Sequence, residues 1–354
     1  MNLKGSAEVL LTSFPHQIMR SLSWLLMTAC LGSCRSTTTP ETAVLDAGVS
    51  TSPWADVDPL VFTSSGPTYH VIDGYDPIWL TYIQEGVERA RTYWGSYGPT
   101  HVWVVGQQDG RLISEDAKQQ FIDKYCTWRT ASSERTVTEC RPYARRRFIE
   151  VMERGEPEAY LSDVRDTEQR MAELVFINVH EWYYEEDAIP DPILRGIHEY
   201  THVFQQSVGP MPTWMAEGGA VFIEAWLPKI DGRRDPKDVM SWIMERAQRM
   251  RHSGFTIADM EEIETAPEEV AQYYLELAYD SGAWATVFMI HQSPTQSVSS
   301  LKNEFYPLVK ELGWEAALAQ YLNIESKDQF YEDFEAFMDL PIQEQLRTLE
   351  AIRP

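Results

Sequence analysis

Two histidines and a glutamate fall within five residues, in the pentapeptide His198-Glu199-Tyr200-Thr201-His202. Positions i and i+4 of an α-helix stand about 40° apart, so both imidazoles can face one metal ion. Glu199 lies about 100° round the helix from His198, close enough to polarise a zinc-bound water without replacing it. The spacing therefore predicts a zinc site in which Glu199 is the general base, taking a proton from the water and passing it to a leaving amine.

The surroundings of this pentapeptide strengthen a signal that is weak by itself. By residue frequencies it arises by chance in about one chain in a hundred of this length. Apolar residues flank it in 193–197 and 203–204, which indicates a buried helix face, and a predicted strand precedes it. Both features favour a metal site over two unrelated histidines on a core helix.

A catalytic zinc site needs a third protein ligand and one open position. Glu217 lies in the apolar stretch 211–224 and is followed by Gly218 and Gly219. A buried carboxylate is costly unless it is paired or bound to a metal, so Glu217 is the predicted third ligand. Glu224, two turns further along the same face, is the alternative, either as the ligand or as an acceptor for a histidine N–H.

Together these two segments resemble the gluzincin metallopeptidases, specifically peptidase MA-like families in which HExxH precedes a second helix with the pattern W-x-x-E-G-x-A. Here that pattern runs from Trp214 to Ala220. In those families its glutamate is the third zinc ligand, which maps onto Glu217. The resemblance covers roughly residues 170–340 and implies a zincin-like α+β fold, with a small mixed β-sheet over an active-site helix and a mainly helical C-terminal half.

The tetrahedral intermediate of peptide hydrolysis needs a hydrogen-bond donor besides the zinc. Tyr279, Tyr274 and Tyr273 are placed for this role along the chain, and Tyr279 is preferred. Tyr279 also opens a Y-x-x-G segment that resembles one these families often carry. An extended substrate adds to an open strand edge in such enzymes, and Leu174–Val179 is the predicted edge.

Hydrophobic periodicity divides the ordered chain into a mixed N-terminal part, 66–190, and a helical zinc-binding part, 191–354. Strands are predicted at 100–106 and 174–179. The basic run Arg145-Arg146-Arg147 is interpreted as a solvated helix face. Helices are predicted over 76–94, 236–251, 267–291, 299–311, 313–321 and 326–339.

Residues 20–34 place one arginine before a short apolar run that ends in small residues and cysteine, the form of a signal peptide. Leu31-Gly32-Ser33-Cys34 resembles the lipobox of bacterial lipoproteins. We therefore expect a signal peptide over 1–33, lipidation of Cys34 and a flexible tether over 34–65. Cys30 is a second match, and an ordinary cleaved secretory signal is the alternative. Each reading places the mature protein outside the cytoplasm, and the lipidated one anchors it to a membrane of the bacterial envelope.

Cys126 and Cys140 remain when the signal cysteines are set aside. An exported compartment permits disulfides, and the polar residues between these cysteines favour a disulfide that closes a loop. Zinc binding by this pair is the alternative, although the short Cys-x-x-Cys spacing is missing.

The 354-residue chain has a globular composition, with 44% hydrophobic residues and a formal net charge of −24. That charge argues against binding to a nucleic-acid backbone. It is explained either by the solubility of an exported protein or by selection of basic substrates. The predicted function is a zinc metallopeptidase acting on a peptide or protein substrate. The alternatives are a surface binding lipoprotein that keeps zinc without turnover, and a zinc hydrolase of non-peptide amides.

Overall fold

The computed structural model describes residues 61–107, 111–131, 135–165, 170–183, 191–230 and 232–354. The predicted signal peptide, the lipidation site Cys34 and most of the predicted tether lie outside these residues. The end of the tether does not: Val61–Phe62 forms a strand that pairs with Tyr97–Gly98. The described fold therefore includes residues before the predicted boundary at 66.

The architecture is α+β, with one four-stranded sheet and a majority of helix. The strands are β1 (Val61–Phe62), β2 (Thr68–Val71), β3 (Tyr97–Gly98), β4 (Thr100–Val105), β5 (Glu158–Arg165) and β6 (Arg170–Ile177). The sheet has the order β2-β4-β6-β5, in which β2, β4 and β6 are parallel and β5 is antiparallel to β6. β1 and β3 form a separate antiparallel pair.

Helices follow the sheet along the chain and also connect its strands. The α-helices are α1 (Pro77–Trp94), α2 (Glu115–Thr130), α3 (Val137–Ala144), α4 (Val151–Glu153), α5 (Leu194–Val208), α6 (Thr213–Ile230), α7 (Pro236–Ala247), α8 (Glu268–Ala271), α9 (Gly282–Gln292), α10 (Tyr306–Leu312), α11 (Trp314–Leu322), α12 (Lys327–Met338) and α13 (Ile342–Ala351). Within the described residues, no helix has both the length and the apolar character needed to cross a membrane.

Helix α1 shows why the sequence pattern succeeds in the first half of the chain. Asp76 accepts a hydrogen bond from the N–H of Ile78, and Pro77 occupies the first turn, where its missing N–H costs nothing. Gly95 ends the helix with a positive φ of 112°. The predicted helix 76–94 is confirmed, and so is the strand predicted at 100–106, which is β4.

The strand predicted at 174–179 exists, but it is not an open edge. β6 runs over Arg170–Ile177 and pairs with β4 on one side and β5 on the other. The strand at the edge of the sheet next to β6 is β5. The sequence interpretation missed β5 because this strand lies in a mostly polar part of the chain. The prediction that 174–179 receives a substrate strand is therefore wrong.

Cys126 and Cys140 form a disulfide with Cα atoms 5.6 Å apart. Both cysteines lie on helices, α2 and α3, and both are buried. The pairing is as predicted, and it joins two helices.

The basic run 145–147 is not a solvated face throughout. It lies in a π-helical stretch, Arg145–Glu150, and the Arg147 side chain is only 9% exposed. Arg147 Nη1 lies 2.9 Å from Glu173 Oε1, on a side chain with no solvent exposure. Three consecutive helical residues point in different directions, so one of them can face the core while the others face water.

The helical half differs from its prediction at its centre. The helix predicted over 267–291 is divided into α8, a π-helical stretch at Leu275–Ser281, here called the π segment, and α9. The helices predicted over 313–321 and 326–339 are confirmed as α11 and α12. One cluster of buried side chains includes residues from Ile72 to Ile352, so both predicted parts share a core.

Replacing Arg147 by methionine is expected to lower the free energy of unfolding by about 3 kcal/mol, because it leaves the buried Glu173 with one of its two cations, Arg129. Arg146→Met is the matched control at an exposed position, with an expected effect within about 0.5 kcal/mol. Urea unfolding of both variants measures the difference. Equal effects would show that the Arg147 ion pair contributes no net stability.

Candidate metal centre

Helix α5 supplies two imidazoles and helix α6 supplies a carboxylate between them. The rings of His198 and His202 have centroids 4.8 Å apart, as expected for positions i and i+4. Glu217 Oε2 lies 3.3 Å from Nε2 of His198 and 3.3 Å from Nε2 of His202. The ligand atoms of these three residues all lie within 4.8 Å of one another. The structure therefore brings the three predicted ligands together in a group positioned to bind one metal ion.

The other nitrogen of each imidazole also has a partner. His198 Nδ1 lies 3.2 Å from Glu224 Oε2, and His202 Nδ1 lies 2.7 Å from Gln205 Oε1. Both partners are hydrogen-bond acceptors, so they favour the tautomer with a proton on Nδ1. Each Nε2 lone pair is then directed at the space beside Glu217, as a metal site requires.

Glu224 belongs to this supporting layer rather than to the ligand group. Its Oε1 lies 3.1 Å from Arg195 Nη2, one turn before His198 on α5. Of the two alternatives for the third ligand, the geometry selects Glu217, and Glu224 takes the other role considered for it, the acceptor for a histidine N–H.

The charges of the group match a divalent cation. Three carboxylates, Glu199, Glu217 and Glu224, and the guanidinium of Arg195 surround the imidazoles. With neutral imidazoles these groups carry a formal charge of −2, which one divalent ion balances. A buried uncompensated charge is costly, so the group suits a cation.

The pKa values of His198 and Glu217 also indicate that the group stabilises positive charge. Burial by itself would lower the pKa of His198, but hydrogen bonds that its ring donates to the Glu217 and Glu224 carboxylates outweigh burial and raise the pKa to about 10. The two imidazoles in turn hold the pKa of Glu217 well below its usual range, against the effect of burial. A metal ion takes the place of such protons when it binds.

Two of the three metal-binding side chains are partly exposed to solvent. The side chain of His198 is 2% exposed, whereas those of His202 and Glu217 are 14% and 17% exposed. A structural metal site is closed by its protein ligands, while a catalytic one keeps a position for water or substrate. The partial exposure leaves His202 and Glu217 accessible to solvent.

Glu199 is also buried, with 4% exposure. Burial raises the pKa of its carboxyl group, and the nearby imidazoles of His198 and His202 oppose that rise. Glu199 therefore interacts electrostatically with both histidines, as the pentapeptide spacing predicts.

Two of the three predicted tyrosines reach the group. The Tyr279 ring is parallel to the His198 ring, at 5.7 Å between centroids. The Tyr274 hydroxyl donates to Glu217 Oε1 at 3.0 Å. Tyr273 instead packs against Phe255, away from the metal ligands.

The π segment explains how Tyr274 and Tyr279, five residues apart, lie on the same side of the helix. Tyr274 immediately precedes this segment and Tyr279 lies within it, and their rings are 5.4 Å apart. In an α-helix, positions i and i+5 diverge by about 140°. The wider i→i+5 turn brings them together, and such turns are often found at functional sites.

Two contacts position this segment, one between α6 and Gly282, the residue that follows the segment, and one between Asp280 and α7. A Cβ atom at Gly218 would lie 2.0 Å from the Gly282 carbonyl carbon, so the two backbones touch next to Glu217. Arg246 Nε donates to Asp280 Oδ2 at 2.8 Å, on a side chain that is 4% exposed. The segment is thus fixed at both its backbone and its side chains.

Sequence reasoning missed Gln205, Arg195 and the contact of Tyr274 with Glu217. Gln205 was detectable from the sequence, since it lies three residues after His202 on the same helix. In the structure its amide also donates to the carbonyl of Ala216, the residue before Glu217. Arg195 precedes His198 by three residues, which also places it on the histidine face.

Comparison with protein-family models, curated proteins and solved structures finds no match to this chain.

Gly218→Ala is expected to destabilise the protein by about 2 kcal/mol or more, because the new methyl group would overlap the backbone of Gly282. At the neighbouring Gly219 a Cβ would meet only the ends of two side chains, Gln205 and Tyr306, at 3.3 Å. Gly219→Ala is therefore the control, with an expected change within about 1 kcal/mol. Thermal and urea unfolding compare the two, and equal stabilities would refute the close helix crossing.

Proposed function

We propose that this chain is a zinc-dependent metallopeptidase of the gluzincin type, in which Glu199 acts as general base. The observation that carries this proposal is that Nε2 of His198, Nε2 of His202 and one oxygen of Glu217 lie together, with two of these three side chains partly exposed. Glu199, the residue after His198, is a buried carboxylate. The ligand set in its partly open pocket supports a reaction centre better than a structural ion.

Zinc is the metal that the donors favour. Two imidazole nitrogens and one carboxylate oxygen, with a fourth position left for solvent or substrate, form the usual donor set of catalytic zinc. When bound, zinc supplies Lewis acidity to the reacting carbonyl group and to the attacking water.

Glu199 holds and moves the proton. Its carboxylate is buried beside His198 and His202, and burial raises its pKa, which makes it a stronger base than an exposed glutamate. It accepts a proton from the attacking water and delivers that proton to the nitrogen of the leaving amine.

Tyr279 is the proposed donor to the oxyanion. Its ring is stacked on that of His198 and meets the ring of Tyr274 edge to face. Burial raises the pKa of this phenol well above its usual range, so it stays protonated and can donate a hydrogen bond.

The edge strand β5 is the proposed support for an extended substrate. β5 ends the four-stranded sheet and contacts helix α5, which carries both histidines. A peptide that pairs with this edge gains backbone hydrogen bonds near the metal group. A small mixed sheet beside the metal-binding helix is also what the resemblance to zincin-like enzymes implies.

We place the enzyme outside the cytoplasm, at a bacterial envelope, where a lipid on Cys34 attaches it to a membrane. The signal-like residues 20–34 support this proposal. The disulfide Cys126–Cys140 is consistent with an oxidising compartment.

Glu199→Gln is expected to lower kcat/KM on peptides by about 10²- to 10⁴-fold while zinc stays at about one ion per chain, because the proton acceptor is lost but the ligands remain. Tyr279→Phe is expected to lower kcat by about 10²- to 10³-fold. Internally quenched peptide libraries measure the rates, and elemental analysis measures the zinc.

Glu268→Gln is the control for the first variant, since it removes an exposed carboxylate at the start of a short helix. An unaltered protein that binds zinc but cleaves no peptide would contradict the proposal. Cleavage of non-peptide amides alone would then identify a different hydrolase, and absence of any turnover would identify a binding protein.

A further inference from the structure

We propose that Tyr274 is a positioning residue that restricts Glu217 to binding the metal through a single oxygen. This inference rests on the metal site of the proposed function and concerns a tyrosine considered above only as an alternative donor to the oxyanion.

The two oxygens of Glu217 have different partners. Oε2 faces both histidines, at 3.3 Å from each Nε2. Oε1 accepts the hydroxyl of Tyr274 at 3.0 Å. A carboxylate can bind a metal with one oxygen or with both. A donor already placed on Oε1 favours the first mode, because binding through both oxygens would break that hydrogen bond.

Tyr274 is itself held in place from two directions. Its ring meets that of Tyr279 edge to face, with the ring centroids 5.4 Å apart. The π segment that follows it is fixed to α7 by the Arg246–Asp280 ion pair and to α6 by the contact between Gly282 and Gly218. The donor therefore has a fixed position relative to Glu217, and its hydrogen bond can select one carboxylate orientation.

The two tyrosines then have separate tasks. Tyr274 contacts the carboxylate ligand, whereas Tyr279 contacts the ring of His198 and is the residue assigned to the oxyanion. Removing the first hydroxyl is expected to change how the metal is bound. Removing the second is expected to change the rate while the metal stays bound as before.

Coordination number is the property that Tyr274 controls. Two imidazoles and one carboxylate oxygen leave zinc with its preferred low coordination. Release of Oε1 would add a fifth donor and suit ions that accept more oxygen ligands, such as Mn²⁺. Tyr274 thereby favours zinc over such ions at this site.

The test uses the full-length protein with Tyr274→Phe, which removes the hydroxyl and keeps the ring. Zinc affinity is measured by competition with a chromophoric chelator, and the variant is expected to bind zinc about 10- to 100-fold more weakly. The visible spectrum of the Co²⁺-loaded protein reports coordination number. We expect its d–d absorption to weaken in the variant, since bands lose intensity as coordination rises.

Tyr273→Phe and Tyr279→Phe are the matched controls, the first facing Phe255 and the second the His198 ring. Both are expected to keep the zinc affinity and the Co²⁺ spectrum of the unaltered protein. Unchanged affinity in Tyr274→Phe would overturn the inference. Weaker binding with an unchanged Co²⁺ spectrum would overturn it as well, since it would show only a loss of general stability.

These outcomes are separable from failure of the proposed function. Zinc binding with peptide cleavage but no effect of Tyr274→Phe overturns the inference alone. Zinc binding without cleavage, together with the expected effects of Tyr274→Phe, overturns the peptidase and sustains the inference.

Discussion

Close backbone contact at two helix crossings sets the distances on which the metal centre depends. Gly196, two residues before His198, crosses α1 so closely that a Cβ there would lie 2.6 Å from the Ile83 carbonyl oxygen. Gly218, next to Glu217, meets Gly282 in the same way. Each ligand helix is thus fixed beside its metal-binding residue, where a side chain would force the backbones apart. The ligands can then hold their geometry without help from the metal.

Charge balance is the second constraint on the metal centre. Buried carboxylates would repel one another in the core unless cations were supplied. Arg195 supplies one charge to Glu224, and the remaining deficit is that of one divalent ion. The acceptors on both Nδ1 atoms, Glu224 and Gln205, then leave each Nε2 for that ion. The same arrangement explains why Glu199 is buried nearby: it lies where a bound cation would stabilise its charge.

Local periodicity predicted much of this structure, and its failures have physical causes. The spacing of His198 and His202 and the apolar surroundings of Glu217 are properties of single helices, so the ligand set was predictable. The open edge at β5 and the buried Arg147 depend on which element packs beside which, and this is not encoded in one segment. The π segment was predicted as a continuous helix because an extra residue in one turn leaves the composition helical. The π segment brings the rings of Tyr274 and Tyr279 together, and this contact can be seen only in the structure.

The most direct test of the account is a crystal structure of the zinc-loaded protein with anomalous data collected on both sides of the zinc absorption edge. The account predicts one anomalous peak about 2.0 to 2.2 Å from Nε2 of His198, Nε2 of His202 and one oxygen of Glu217, with Glu224 still bonded to His198 Nδ1. No peak between these atoms, or a peak whose ligands include Glu224 in place of Glu217, would contradict it.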